Sequence, residues 1–194
     1  MNKLSILGGL IILAAHIPLF ISLYKRQTRL SLATWLLWSI IDTAALVVSI
    51  AAGAIAPTMV LAFTIAAWIV FFLVLRTGNW IWKINETISA VVALVSLVLW
   101  FSLGSIWALA SLVFGKYIAV AVPTYIDAYA RPEKFQFYVW GAFAVGALLN
   151  IVGLYSVTGS WNVTNFLYPT VGLLGNGLIA VLHFNLQNKK PRAN

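Results

Sequence analysis

Long apolar runs, separated by short breaks rich in polar residues, dominate the pattern of the chain. The breaks carry glycine, proline, asparagine or basic residues, which are typical of turns between helices. The runs are close to the length of about 20 residues that a helix needs to cross the hydrocarbon core of a bilayer. They predict seven transmembrane helices, at Leu4–Tyr24, Leu30–Gly53, Thr58–Leu75, Thr87–Leu103, Ile106–Tyr129, Phe137–Val157 and Phe166–Leu186. The predicted fold is therefore an all-α membrane protein.

A short motif occurs twice in this pattern. Its first copy consists of Pro18, Ile21, Tyr24, Arg26 and Trp35, and its second copy of Pro123, Ile126, Tyr129, Arg131 and Trp140. Every pair is separated by 105 positions, and no gap is needed. Because proline and tryptophan are uncommon and their spacing is identical, the match indicates two copies of one unit. A chance match in an apolar chain rich in tryptophan is the alternative.

The repeat predicts how the seven helices are organised. Residues 1–78, with the first three helices, form one unit, and residues 105–194, with the last three helices and a short basic tail, form the other. Residues 79–104 contribute a linker helix. Since each unit has an odd number of helices, the linker span gives both units the same orientation in the membrane, as in parallel repeats. We therefore expect two triple-helix repeats in a 3+1+3 arrangement.

Composition favours lipid as the solvent. Hydrophobic residues make up 62% of the chain and charged residues 8%, a balance that is not typical of soluble domains. The net charge of +8 is distributed in short clusters between the apolar runs, which indicates membrane topology and not nucleic-acid binding. Ten basic residues lie at one set of helix ends, whereas only Lys3 lies at the other. The positive-inside rule then predicts an external N-terminus and a cytoplasmic C-terminus, in a plasma or inner cell membrane.

At the repeated motif the chain resembles the SWEET and PQ-loop transporter family. Members of this family have triple-helix units, arranged 3+1+3 when doubled, with a proline toward the cytoplasmic part of the first helix and a basic loop after it. Pro18 and Pro123, and the basic residues that follow them, match this pattern. The glutamine that follows the proline in the family is replaced by Leu19 and Thr124. The resemblance implies alternating-access transport of small polar solutes.

The family also has an asparagine of the solute pocket in the third helix of each unit. Helix 7 offers Asn176 for this role, whereas helix 3 offers only Trp68 in that region. The resemblance therefore implies that these two residues contact the solute. From the residues themselves, an amide between Gly175 and Gly177 can equally form a hydrogen bond between closely packed helices.

Four polar residues lie deep within the predicted helices, where polar groups are costly and point to function. They are Asp42, Lys116, Asn150 and Asn176. Counting about 1.5 Å of rise per residue from the predicted cytoplasmic helix ends places them at similar depths, roughly 15–20 Å. We expect them to line one pathway. Asp42 and Lys116 can form a buried ion pair between helices 2 and 5. Alternatively, Asp42 takes part in proton coupling or Lys116 binds an anionic group of a substrate, or the two residues are unrelated in position.

The residues of the repeated motif have candidate mechanical roles. Pro18 and Pro123 each remove one helical hydrogen bond, so they are either paired hinges between rocking units or static kinks, which membrane helices tolerate. Trp35 and Trp140 lie near the cytoplasmic starts of helices 2 and 6. They are either gate residues or anchors in the headgroup layer.

The sequence gives little support to an enzyme. It contains no Ser/His/Asp arrangement, metalloprotease motif or phosphate-binding glycine loop, and its two isolated histidines are a weak metal signal. We expect no metal, no cofactor and no nucleic acid; the expected partners are a lipid bilayer and a small solute, and homo-oligomerisation is left open. The predicted function is transport of a small polar solute such as a sugar or an amino acid. The alternative is a seven-helix receptor or interaction protein that uses its basic cytoplasmic face.

Overall fold

The computed structural model describes residues 2–27, 30–76, 78–130 and 134–189, except for the side chains at 85, 118–137, 183 and 186–189. In these ranges the chain forms seven α-helices: α1 (Lys3–Tyr24), α2 (Leu32–Ala51), α3 (Thr58–Val74), α4 (Ile84–Leu103), α5 (Ser105–Ala130), α6 (Lys134–Thr158) and α7 (Val163–Lys189). Five of them (α1, α2, α4, α6 and α7) contain a stretch long and apolar enough to cross a membrane, and α3 is a shorter apolar helix of 17 residues. The predicted all-α fold is confirmed, and the apolar helices are consistent with a multi-pass membrane protein.

Polar side chains determine where two of the helices begin. The hydroxyl of Ser31 accepts a hydrogen bond from the backbone N–H of Thr34 at 3.3 Å, so that α2 begins at Leu32. The carboxylate of Glu86 accepts a hydrogen bond from the N–H of Lys83 at 2.7 Å, and α4 begins three residues before its predicted start. Such caps satisfy backbone N–H groups that the first turn of a helix leaves free.

The helices pack around one another in a closed ring. Taken in order, the contacts run from α1 to α3, α2, α5, α7 and α6, and back to α1. α4 lies outside this ring, against α5 and α2. Smaller contacts join α3 to α6 and α7 across the centre. Six helices therefore share one core, and the seventh lies at its edge.

The outer surface of α4 is apolar. Val91, Leu94, Val98 and Phe101 form a stripe at helical spacing, and each of these side chains is more than half exposed. A continuous apolar stripe of this kind is unfavourable in water. The outward face of α4 is therefore suited to lipid.

Glycines allow α1 and α6 to approach each other closely. A Cβ atom added at Gly8 would lie 2.5 Å from the carbonyl oxygen of Gly146. Further along the same contact, a Cβ atom added at Gly153 would lie 2.6 Å from the backbone nitrogen of Ser5. Small residues that bring two backbones together in this way are common between membrane helices.

Gly146→Ala should therefore destabilise the protein. The added methyl group would lie 2.7 Å from Cγ1 of Ile12 and 2.8 Å from the carbonyl oxygen of Gly8, and overpacking of this kind costs about 1–3 kcal/mol. Gly141→Ala on the same helix is the matched control, because no described atom from another part of the chain lies within 4 Å of its added Cβ. Thermal unfolding in detergent compares the two variants. Equal unfolding temperatures would contradict the close packing of α1 against α6.

Candidate functional site

An ion pair lies at the centre of the ring. The ammonium group of Lys116 on α5 donates a hydrogen bond to Oδ1 of Asp42 on α2. The two side chains are buried, with only 9% and 2% of their surfaces exposed. Such charges are costly to bury unless each compensates the other and further hydrogen bonds satisfy them. The two opposite charges that the sequence places at similar depth are thus in direct contact.

Tyr168 on α7 completes a triangle with this pair. Its hydroxyl oxygen accepts a hydrogen bond from Lys116 at 3.0 Å, and its O–H group faces Oδ1 of Asp42 at 3.4 Å. The ammonium nitrogen also lies 4.7 Å from the ring centroid of Phe63 and 5.3 Å from that of Trp38. Aromatic faces attract a cation within about 6 Å. Hydrogen bonds and rings together therefore compensate the buried ammonium group.

Aromatic contacts extend from this triangle to the remaining helices of the ring. The ring of Phe63 on α3 lies 5.3 Å from that of Phe143 on α6, which lies 4.7 Å from the imidazole of His16 on α1. The Nδ1–H group of His16 donates to the carbonyl oxygen of Ile12 at 2.8 Å. Every helix of the ring thus contributes to one connected group of side chains. We call this group the central cluster; it consists of His16, Trp38, Asp42, Phe63, Lys116, Phe143 and Tyr168.

Two aromatic pairs of the central cluster are related by the offset of 105 residues. Phe63 and Tyr168 form one pair, and their ring centroids lie 6.4 Å apart. Trp38 and Phe143 form the other pair. The register of the repeated motif therefore brings equivalent positions from both halves of the chain to the centre.

Asn150 belongs to a second polar group, between α6, α1 and α3. Its side-chain amide donates to the hydroxyl of Thr58 and, at 3.4 Å, to the carbonyl oxygen of Ser5. Thr58 lies six residues, or about 9 Å of helix rise, before Thr64, whose hydroxyl donates to the backbone carbonyl of Asp42. Asn150 is thus nearer than the ion pair to the end that holds the N-terminus. The sequence predicted similar depths, and they differ because α6 begins at Lys134, three residues before its predicted start, while α2 begins at Leu32, two residues after its own.

Asn176 on α7 faces Tyr117 on α5. Its side-chain amide donates to the Tyr117 hydroxyl at 3.4 Å, and Asn176 itself is only 2% exposed. Tyr117 packs against Gly172 and Gly175, where added Cβ atoms would lie 2.8 Å and 2.6 Å from the tyrosine. Since Tyr117 directly follows Lys116, this third polar group adjoins the central cluster along α5.

Trp68 packs at the contact between α3 and α2. Its indole N–H donates to the hydroxyl of Thr43 at 2.9 Å, and its ring lies 5.6 Å from that of Phe71 and 5.8 Å from that of Phe72. The indole N–H of this half-buried ring therefore has a protein partner, and two aromatic rings of its own helix lie beside it. Its contact with a solute stays a prediction.

The two tryptophans of the repeated motif pack against rings of the central cluster. Trp35 lies 5.9 Å from Trp38, and Trp140 lies 5.6 Å from Phe143. Each contact joins a motif tryptophan to the aromatic residue one turn later on its own helix. The gate role of Trp35 and Trp140 stays a prediction.

The prolines occupy different helices. Pro18 lies inside α1, which continues without a break to Tyr24. Pro123 falls in the part of α5 whose side chains lie outside the described residues. A further proline, Pro169, lies inside α7 next to Tyr168. The hinge role of Pro18 and Pro123 stays a prediction. Pro169 likewise has no backbone N–H to donate within its helix.

Asparagine side chains join the two halves of the chain at the end that holds the N-terminus. In addition to Asn150, Asn165 accepts a hydrogen bond from the backbone N–H of Ile55 at 2.9 Å, and Asn2 donates to the hydroxyl of Ser156. A cavity that remains between α3, α6 and α7 has a volume of about 10 Å³, enough for about one water molecule. We call the contacts that Asn2, Asn150 and Asn165 make between the halves the asparagine links.

Comparisons of the chain with models of protein families, with curated proteins and with solved structures find no match. The resemblance to SWEET and PQ-loop transporters therefore rests on the repeated motif and the topology, and it stays a prediction.

Tyr168 and Phe63 were not among the residues that the sequence predicted for the site. Neither residue is charged, and aromatic residues are common in the chain, so neither stands out in an apolar helix. A signal was nevertheless present, since the offset that relates the two motif copies also pairs these two residues. Aromatic pairs at that offset would have identified both.

The ion pair predicts non-additive effects on stability. Asp42→Asn or Lys116→Gln alone leaves one buried charge without its partner and is expected to cost about 3–5 kcal/mol. The double variant should be more stable than the sum of the two costs implies, by about 0.5–3 kcal/mol. Unfolding in detergent of the wild type, both single variants and the double variant gives this coupling energy. Lys3→Gln, which removes an exposed lysine, is the control, and purely additive costs would contradict the pairing.

Proposed function

We propose that the protein is an integral membrane transporter of a small polar solute, which crosses between the two halves of the chain by alternating access. The buried pair of Asp42 and Lys116 is the observation that carries this proposal. Charges within membrane helices are rare and typically mark the pathways of substrates or ions. A pair needed for packing alone can often be replaced by apolar residues without loss of stability.

The order of the helices in the ring supports a 3+1+3 arrangement. In one half α3 lies between α1 and α2, and in the other half α7 lies between α5 and α6. The two larger contacts between the halves, which we call the α1–α6 seam and the α2–α5 seam, exchange places when the halves are exchanged. Parallel repeats about an axis along the membrane normal have this property. We place that axis between Phe63 and Tyr168, in line with the architecture that the resemblance to SWEET and PQ-loop transporters implies.

The charges support an orientation for this bundle. The exposed basic residues Lys25, Arg26 and Arg76 follow α1 and α3 at the end opposite to the N-terminus. We therefore assign that end to the cytoplasm and the asparagine links to the outside. In this orientation the cavity of about 10 Å³ between α3, α6 and α7 lies toward the outer side.

Among small solutes, an amino acid or a similar zwitterion suits the central cluster best. Its carboxylate can replace Asp42 as the partner of Lys116, while its ammonium group replaces Lys116 as the partner of Asp42. All four charges then remain compensated, so the exchange avoids a lone buried charge and its large cost. A sugar offers hydroxyl groups but no charge to either partner.

The same exchange of partners also allows the two halves to move apart at one seam. Once the solute separates Asp42 from Lys116, the direct link across the α2–α5 seam is gone. Among the described residues, no ion pair joins the α1–α6 seam. There Gly8 and Gly146 allow two backbones to pack in direct contact. We propose that the α2–α5 seam opens during transport while the α1–α6 seam stays closed.

Uptake into proteoliposomes tests this function. The panel pairs an amino acid with its N-acetylated form, its methyl ester and a sugar, each with and without an inward proton gradient. We expect the zwitterion to be taken up about tenfold faster than either singly charged form, which corresponds to about 1.4 kcal/mol. Asn176→Ala and Asp42→Asn should each reduce uptake by about the same factor or more, while the variants still insert and fold.

Asn185→Ala is the matched control for Asn176→Ala, because it removes an exposed asparagine from the same helix; its uptake should equal that of the wild type. Uptake only with a gradient would make Asp42 the first candidate for a proton carrier, whereas gradient-independent uptake would indicate a uniporter. Sugar uptake that survives Asp42→Asn would contradict the zwitterion assignment. No uptake of any compound by folded protein would contradict transport itself.

A further inference from the structure

A cleft with two arginines lies at the opposite end of the bundle from the asparagine links. It has a volume of about 270 Å³ and is formed by the ends of α1 and α3, with Leu23, Tyr24, Arg26, Leu73 and Arg76 as its lining. Leu23 is buried and forms part of a small apolar core with Val70 and Val74. Tyr24, Arg26 and Arg76 are exposed. The cleft therefore combines an apolar floor with a cationic rim.

Arg26 occupies a position that favours glycine. Just after the end of α1, the N–H of Arg26 donates a hydrogen bond to the carbonyl oxygen of Leu23. The N–H of Gln27 donates to the carbonyl oxygen of Ser22, and both distances are 2.9 Å. This pair of hydrogen bonds defines a Schellman motif, in which the residue at the position of Arg26 has a left-handed backbone and is usually glycine. Arg26 accordingly has a φ of 56°, and it is the sole residue other than glycine with a positive φ in the described ranges.

The end of α2 shows the ordinary solution to the same geometry. There Gly53, with a φ of 84°, occupies the position that Arg26 has after α1. Its N–H donates to the carbonyl oxygen of Ile50, and the N–H of Ala54 donates to the carbonyl oxygen of Ser49. A left-handed conformation costs free energy for a residue with a Cβ atom. The end of α1 is destabilised in this way by Arg26, and Arg26 also lines the cleft.

The acidic side chains that the structure describes have partners outside the cleft. Asp42 pairs with Lys116, and Glu86 bonds to the hydroxyl of Thr34 and to the N–H of Lys83. The remaining two acids of the chain, Asp127 and Glu133, have side chains outside the described residues. Within the described part of the chain, the rim of the cleft is thus a pair of guanidinium groups without an assigned carboxylate.

We propose that this cleft is a binding site for a phosphate group. Guanidinium groups bind phosphate oxygens through two parallel charge-assisted hydrogen bonds, and two arginines from different helices can hold one phosphate from two sides. The group comes either from the headgroup of an anionic phospholipid or from a free phosphate compound. The floor of Leu23 and Leu73 favours the lipid, because its glycerol and acyl parts continue into an apolar surface. The site is separate from the central cluster and does not depend on the proposed transport.

Native mass spectrometry of the full chain, purified in detergent, tests the site with phosphatidylglycerol and phosphatidylcholine as probes, and calorimetry with inorganic phosphate tests the free anion. Arg26→Gly is the decisive variant. It relieves the left-handed strain, so its unfolding temperature should equal or exceed that of the wild type, yet it removes one half of the rim. We expect Arg26→Gly and Arg76→Gln each to lower the affinity for the phosphate probe about tenfold.

Lys25→Gln is the matched control, since it removes an exposed charge next to Arg26 that does not line the cleft; it should keep the affinity of the wild type. Arginine-dependent preference for phosphatidylglycerol assigns the site to a lipid headgroup, whereas arginine-dependent binding of inorganic phosphate without that preference assigns it to a free phosphate compound. Unchanged affinity in Arg26→Gly and Arg76→Gln would overturn the proposal. An equal loss in Lys25→Gln would also overturn it, because the attraction would then come from the basic surface as a whole.

Discussion

A lysine and an aspartate that form an ion pair inside an apolar bundle determine which side chains can pack around them. The contact between Lys116 and Asp42 holds α2 against α5, where the two halves of the chain meet. Removal of either charge would leave the other without a partner in a medium of low dielectric constant. The surrounding side chains are arranged accordingly, since the hydroxyl of Tyr168 and the rings of Phe63 and Trp38 face the ammonium group. The packing of the six-helix ring and the proposed passage of a solute both depend on this contact.

The two seams between the halves differ in chemistry, although the proposed 3+1+3 arrangement makes them equivalent. The offset of 105 residues relates Asp42 to Ala147 and Lys116 to Ile11, so the charges occur in the α2–α5 seam alone. In the opposite direction, Gly8 corresponds to Val113, a buried residue of the common core. One seam thus contains an ion pair and the other close backbone packing. In the proposed mechanism this difference decides which seam opens.

Much of the fold was predictable because lipid imposes simple requirements on a chain. Every predicted helix exists, and its ends lie within three residues of the observed ones, since length and apolar character are what a membrane-spanning helix needs. Asp42 and Lys116 were identifiable for the same reason, as charges stand out in apolar helices. The aromatic partners of these charges were not predicted, because Phe63 and Tyr168 look like ordinary core residues unless aromatic pairs at the offset of 105 residues are compared. Likewise, only the three-dimensional structure brings Arg26 and Arg76, 50 positions apart, to one cleft.

The most direct test of the proposed mechanism is the distance across each seam, measured by electron spin resonance in liposomes. The chain contains no cysteine, so pairs of introduced cysteines can be labelled without background. One pair, Ile40→Cys with Phe114→Cys, reports on the α2–α5 seam, and the other, Leu7→Cys with Leu148→Cys, reports on the α1–α6 seam; all four side chains are exposed. The mechanism predicts that a transported zwitterion adds a longer distance to the first pair and leaves the second unchanged. A first pair that does not respond to a transported solute, or a second pair that lengthens in its place, would contradict it.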